Sequence, residues 1–440
     1  MAMDQNTKKL LERWKPVLES ENAPAIKDNY RKQVTAVLLE NQAQKNREQS
    51  NEVGSLLNEA PGTNTGGMQT YDPVLISMVR RSMPNLIAYD TMGVQPMNMP
   101  TGLIFALRAR TGDGSPLYDE PETFYDEVDT SYTGEGTHDG TDPTATGYDT
   151  GTGMETSTAE GLGREGNDSI ANMGFTIEKV SVTARSRALQ AQYSVELAQD
   201  LRNVHGLDAE SELANLLSAQ ILAEINREAI RTIYLSARDG AQKGTATAGE
   251  FDLDVDSNGR WSAEKFKGLM FQIERDANRI AKLTRRGKGN IVLTSSDVAS
   301  ALQMAGVLDY APAIQNQLEV DDTGSTFAGT INGGRMRVFI DPYFEGTDDY
   351  YVVGYKGSSP FDAGLFYCPY VPLQMTRTIG ENDFQPRIAF KTRYGMTGQQ
   401  FAYGEDDPTE RDQSREIDPL HSDYRGKNFY YRKVSVKNLM

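Results

Sequence analysis

Residues 208–236 read DAESELANLLSAQILAEINREAIRTIYLS, and this stretch decides the fold. Leu213, Leu216, Leu217, Ile221, Leu222, Ile225, Ala229, Ile230 and Ile233 recur in steps of three and four, which places a broad apolar stripe on one side of a helix. Neither Gly nor Pro interrupts it. Asp208 is placed to cap the first free amides, and Glu210 and Glu212 sit near the positive helix end. At 1.5 Å per residue the helix runs roughly 40 Å. A rod of that length with one apolar side acts as a spine on which sheets or other helices pack.

Upstream of the spine, residues 188–203 are expected to form another helix, ending at His205-Gly206. Before that, Leu103–Arg108 and 175–183 read as two strands flanking a long loop, so 100–185 is expected to be one two-stranded protrusion with an elaborated tip. Such an arm exposes its edges, is marginal alone, and makes sense when a neighbouring molecule covers it. Residues 7–58 read as two helices interrupted by Pro16 and Pro24, with little tertiary glue. Helices of this kind associate with copies of themselves or dock elsewhere. Residues 60–70, APGTNTGGMQT, form a linker rich in breakers.

Downstream, 240–250 is a small-residue loop, and Ser262 caps a helix over 263–283. The basic residues and Gly of 285–289 close that helix. Residues 290–385 look like a separate mixed unit, with a helix over 297–305 and strands at 291–293, 337–340 and 350–355. Later strands fall at 389–394 and 429–436, the last with Arg432 and Lys437 alternating as on a half-exposed edge.

Composition narrows the function. The formal charge is −17, which argues against an extended nucleic-acid surface. Residues 112–170 carry fifteen acidic residues against Arg164 alone, so most of the negative charge belongs to the Gly/Thr-rich tip of the protrusion. No apolar run approaches a membrane span, and the first 30 residues lack the layout of a secretory signal. Cys368, the sole cysteine, is expected to be a small buried hydrophobe.

No catalytic constellation, cofactor motif or metal centre emerges. Counting a calcium loop from Asp254 gives Asp256, Asn258 and Gly259 in the right places, but position 12 is Lys265 and Glu264 comes one place early. An acidic turn before a capped helix is the expected reading. Gly287-Lys288-Gly289 lacks phosphate-loop spacing, no nucleophile elbow occurs, and the three histidines are widely spread. Glu381 with Asp383, and Arg377 with Arg387, are candidates for ion pairs within or between molecules, as is Arg108 for contact between subunits.

Two longer stretches carry a resemblance. GVQPMNMPTGLIFALR (93–108) and VPLQMTRTIGENDFQPRIAFKTRYG (371–395) resemble the major capsid protein family of large contractile-tailed bacteriophages, and 291–312 and 351–360 fit the same family. The similarity covers 70–440. It implies an α+β fold of the Hong Kong 97 capsid type. Mapped here, 1–59 is a helical assembly segment, 60–92 an N-terminal arm, and 93–185 the long hairpin called the E-loop. The peripheral domain takes 186–288, the axial domain 289–385, and 386–440 returns to the peripheral domain.

The resemblance further implies hexamers tiling an icosahedral or prolate head around DNA that is not read by sequence. Pentamers of the same chain or a capsid vertex protein would complete the shell. Assembly partners would be a scaffolding core, a prohead protease, the portal and decoration proteins. Family members are cut after a Leu/Ile-x-Glu triplet, which here is Leu57-Asn58-Glu59 before Ala60. The alternatives are a vertex protein of the same fold, a tail-sheath component, or an enzyme with an unrecognised site.

Overall fold

The computed structural model describes residues 5–19, 26, 28–56, 80, 83, 86–112, 123, 128–140, 143, 147–163, 170–257, 259, 261–306, 308–310, 326–331, 333–380, 385–399 and 418–439. Two N-terminal helices, α1 (Gln5–Leu18) and α2 (Asn29–Leu56), pack on each other, and α1 continues through Pro16. Trp14, Leu18, Val34, Leu38 and Leu39 belong to the main core, so the segment docks on the body of its own chain. The expectation of little tertiary glue is corrected.

The short helix α3 (Ala88–Thr91) leads into β1 (Gly93–Val94). Next come β2 (Thr101–Thr111) and, after the tip with its helix α4 (Thr156–Gly161), β3 (Met173–Thr183). β2 and β3 pair antiparallel from Thr101 opposite Thr183 to Thr111 opposite Met173, as a sheet of their own. The expected hairpin is there.

The chain then forms β4 (Arg185–Gln192), α5 (Val195–Val204) and the spine α6 (Ala209–Ser236). The helix expected from 188 is corrected: RSRALQAQ is a strand, and helix begins only after Ser194, whose hydroxyl accepts from Leu197 N. Ala, Leu and Gln favour helix in isolation, but a full antiparallel ladder to residues 387–394 overrides that preference. On the spine, Leu217, Ile221, Leu222, Ile225, Ala229, Ile230 and Ile233 are buried and Leu213 is half-buried. Leu216 departs from the stripe and is 66% exposed. Asp208 holds the cap position with extended backbone, but its side chain makes no capping bond; the Ser211 hydroxyl donates to its carbonyl instead.

Beyond the spine lie β5 (Ala237–Asp239), β6 (Glu250–Asp252), α7 (Ser262–Thr284), β7 (Ile291–Thr294) and α8 (Ser296–Met304). They are followed by β8 (Leu308–Tyr310), β9 (Thr326–Ile331), β10 (Met336–Ile340) and β11 (Asp349–Gly354). β12 (Leu365–Ile379), β13 (Pro386–Gly398) and β14 (Asn428–Lys437) complete the chain. Trp261, not Ser262, caps α7, and the left-handed residue that ends it is Arg285 rather than a glycine.

Among the described residues a four-stranded sheet runs β1-β12-β13-β4, and an eight-stranded sheet runs β5-β14-β11-β7-β10-β9-β8 with β6 also on β14. The spine lies along β4 and β13, while α7 covers β14 and β11. This pairing cuts across the sequence boundaries at 289 and 386, because β14 joins the sheet of β11, and β12 joins β13 and β4. β14 is an interior strand, so the half-exposed edge is corrected. Arg432 is buried, donates to the Asp239 carbonyl (3.1 Å), and burial pulls its pKa down to about 10.

Asp276 of α7 ties helix to sheet. Its carboxylate accepts from Ala241 N (3.0 Å), where the backbone is left-handed (φ 49°), and from the Tyr351 hydroxyl (2.9 Å). Burial raises its pKa against these bonds. Asp276→Ala leaves two buried donors unmatched and should lower unfolding stability by about 2–4 kcal/mol, read as the shift in a urea midpoint.

Candidate assembly surfaces

The arm built by β2 and β3 has two unlike faces. Near its root, Ile104, Val180 and Val182 are buried against Met97, Phe366, Cys368 and Val371 or against the main core. The opposite face, from the root outward, carries Leu103, Phe105, Leu107, Met173, Phe175 and Ile177, all more than half exposed, with Leu107 at 67% and Phe175 at 70%. Register puts them together: Leu107 faces Ile177, Ala109 faces Phe175 and Thr111 faces Met173. Side chains alternate across a strand, so this is one continuous apolar strip. An open strip of this kind on a two-stranded ribbon marks a contact site.

The arm's root is pinned to the spine. Arg187 of β4 pairs with Glu224 (3.1 Å) and Glu228 (2.5 Å), one helical turn apart on α6, and the Tyr394 hydroxyl also donates to Glu228. The Glu228 partnership raises the Arg187 pKa against the cost of burial. A cavity of about 190 Å³ lies here, lined among others by Arg187, Glu228, Tyr394 and Asp418. Every cation and anion of the cluster has a counter-charge, which suits a rigid joint.

The N-terminal helices hold a second surface. Asn41 donates from Nδ2 to the carbonyls of Met97 (2.8 Å) and Tyr370 (2.9 Å). Tyr370 sits where the β12–β13 register shifts, so its carbonyl takes the Asn41 amide in place of a ladder partner. Tyr30 donates to the Val94 carbonyl, Arg31 pairs with Asp90 (2.6 Å), and Arg31 lies over the Tyr89 ring. Asp90 also takes Arg337 (2.8 Å) from β10, so it joins α2 to the large sheet.

Beside this pair Lys356 donates to the Tyr89 carbonyl, and burial pulls its pKa from 10.5 down to about 8. Below pH 8 both folded and unfolded chains hold the proton and the desolvation cost is fully present. Between about 8 and 10.5 the unfolded chain binds more protons, so stability rises with pH. Wild type should therefore gain about 3 kcal/mol relative to Lys356→Met across that window, read by paired urea titrations at several pH values.

Other sequence candidates disperse. Arg377 is engaged within the chain, on Glu210 of the spine (2.6 Å). Arg387 lies one register pair away, opposite Thr378 on one side and Gln192 on the other, so both arginines stand near the turn end of the β12–β13 hairpin. Glu381 and Asp383 lie outside the described residues, as do Leu57, Asn58, Glu59 and Ala60 and the side chain of Arg108. Asp252 accepts from Asp254 N and Asn438, Asp256 from the amides of Ala246 and Asp252, and Asp254 pairs with Lys265. These carboxylates brace a turn, and among the described residues no group of three or more acidic, His or Cys side chains could hold a metal ion. Cys368 is fully buried, its thiol pushed up to about 12 by burial.

Sequence reasoning missed the apolar strip as a surface. The signal was alternation at Leu103, Phe105, Leu107 and at Phe175, Ile177, which reads the same for a buried face. It expected the helix α5 within 188–203, but not that no residue of α5 is buried.

The family model for the major capsid protein Gp23 matches residues 68–436. The chain is 42% identical to the major capsid protein of Salmonella phage ViI, with 98% of each chain covered. It is 36% identical to the major capsid protein of Enterobacteria phage T4, again over 98% of each. The capsid vertex protein of Enterobacteria phage T4 is 24% identical over 56% of this chain and 58% of that one. Among solved structures, the capsid of Myoviridae phage XM1 aligns at a TM-score of 0.38 with 8% identity, covering 80% of this chain and 92% of that one.

Proposed function

The chain belongs to the major capsid protein Gp23 family, and from that premise we infer that it builds the shell of a phage head by tiling hexamers of itself around the packaged DNA. The observation that carries the reading is the open apolar strip of the arm, Leu103 to Ile177, on a ribbon too thin to bury it within one copy. A neighbour that covers the strip completes the fold of both molecules, which is how a flat subunit becomes a lattice. In this reading the arm is the E-loop of a Hong Kong 97-type fold, α6 is the spine of the peripheral domain, and β7 to β11 belong to the axial domain. The role is structural, and the acidic balance suits a container that does not grip its cargo.

Identity over 98% of the chain favours the shell protein over the vertex protein, which matches about half. Pentamers of this chain or a related vertex protein would close the shell, with a scaffolding core, a prohead protease and a portal taking part in assembly. Cleavage after Glu59 would remove α1 and α2 at maturation. Electron microscopy of the purified chain tests the reading. Shells or flat hexameric sheets are the expected result; striated tubes would replace it with a sheath protein, and discrete small particles would overturn it.

A further inference from the structure

The cavity at the arm's root holds two hydrogen-bonding atoms that the fold leaves unused. Thr232 of α6 lines it and is 1% exposed, yet among the described residues its hydroxyl has no partner. A buried helical threonine can donate to the carbonyl one turn back, as Thr284 does to Ile280. Thr232 forgoes that bond. One turn before it stands Glu228, whose Oε2 accepts from Arg187 and from the Tyr394 hydroxyl. Among the described residues no hydrogen bond reaches its Oε1. A buried hydroxyl left unmatched is costly, so its retention points to a guest.

The shape and charge of the space say what guest. About 190 Å³ is open, and a cavity of about 150 Å³ admits benzene. Thr232 marks the buried end, while the Arg185–Asp418 pair (3.1 Å), with side chains 70% and 32% exposed, marks the mouth. Met396, Pro419 and Leu420 give the space an apolar wall. Three carboxylates, Glu224, Glu228 and Asp418, face two guanidiniums, Arg185 and Arg187, so one negative charge is left over. Acceptors at the inner end, spare negative charge and an apolar wall together suit a cation with N–H donors on a short carbon chain.

We propose that this cavity binds a primary alkylammonium, which donates to Glu228 Oε1 and Thr232 Oγ1 and lays its carbon chain along Met396 and Leu420. Two sources share that chemistry, a free alkylamine and a lysine side chain of a second copy. Either one fastens β4 to the spine at the joint from which the arm extends. The proposal goes beyond the shell reading and stands without it.

Calorimetric titration of the full chain with butylammonium at constant ionic strength tests it. A guest of five heavy atoms is expected to bind at about millimolar Kd. Butan-1-ol has the chain without the charge, and tetramethylammonium has the charge without N–H donors; each should bind at least about tenfold more weakly. Thr232→Val keeps the shape and removes the hydroxyl. It should weaken butylammonium about tenfold or more while the urea midpoint holds or rises, because the unmatched group is gone. Leu420→Trp, a loop substitution that fills the space and leaves both acceptors in place, should abolish binding.

The source is read from assembly in the presence of saturating butylammonium. Suppressed assembly identifies a lysine of a second copy as the natural guest, and unchanged assembly identifies a free amine. No butylammonium binding at up to about 50 mM would mean that water alone fills the cavity, and the proposal falls. Equal binding of butan-1-ol or of tetramethylammonium, or undiminished binding by Thr232→Val, overturns it as well.

Discussion

A chain that begins at Ala60 should lose on the order of 10 kcal/mol of stability and aggregate when dispersed, because α1 and α2 are part of the core. Trp14, Leu18, Val34, Leu38 and Leu39 are each at most 4% exposed, and a fully buried side chain of this kind contributes about 1.5–3 kcal/mol. Deletion also strands the carbonyls of Met97 and Tyr370, which share the Asn41 amide, and takes Arg31 from Asp90. An unmatched buried acceptor costs about 1–3 kcal/mol. The same chain cut by a protease site placed between Gly66 and Gly67 should behave otherwise: the fragment stays bound, since cutting the linker removes none of these contacts. Size-exclusion chromatography of the nicked chain reads this directly. A fragment that elutes separately at micromolar concentration would show that the helices are held by the linker alone. If the chain is cut after Glu59 as proposed, the cut would have to follow assembly, once neighbours cover what α1 and α2 leave.

Charging the arm strip should abolish the lattice without touching the fold. Phe105→Asp with Phe175→Asp places two carboxylates on a face that lies open in one copy. In the free chain these are surface changes, expected within about 0.5 kcal/mol of wild-type stability. In a shell each contact would bury both charges unpaired, at several kcal/mol apiece, and every subunit repeats the contact. Micrographs should therefore show no sheets or shells at protein concentrations a hundredfold above those at which the unmodified chain assembles, while the urea midpoint stays in place. Shells of normal yield would mean that the strip faces solvent in the lattice.

Much of this was legible in the sequence. The spine and the hairpin announce themselves by period, 3.6 over 29 residues and 2 on either side of the acidic tip. What sequence could not supply were pairings made at long range. Asn41 and Tyr370 are 329 positions apart, so nothing local to α2 tells that its polar face reaches a bulged strand. β4 reads as helix because Ala188, Leu189 and Gln190 prefer it, and only the ladder to β13 reverses the preference. Arg432 reads as an edge residue because charge normally marks solvent, whereas here Asp276 and the Asp239 carbonyl receive it inside. The arm strip was visible as alternation, but Val180 and Ile177 stand on opposite faces of β3, one covered and one open, and residue type does not tell which.

The most direct measurement is oxidative footprinting of Phe105, Met173 and Phe175 in dispersed chain and in assembled particles. If neighbours complete the arm, all three should label heavily when dispersed and lose at least nine-tenths of that labelling on assembly, with buried Cys368 unlabelled in both. Equal labelling of the strip before and after assembly would contradict the account.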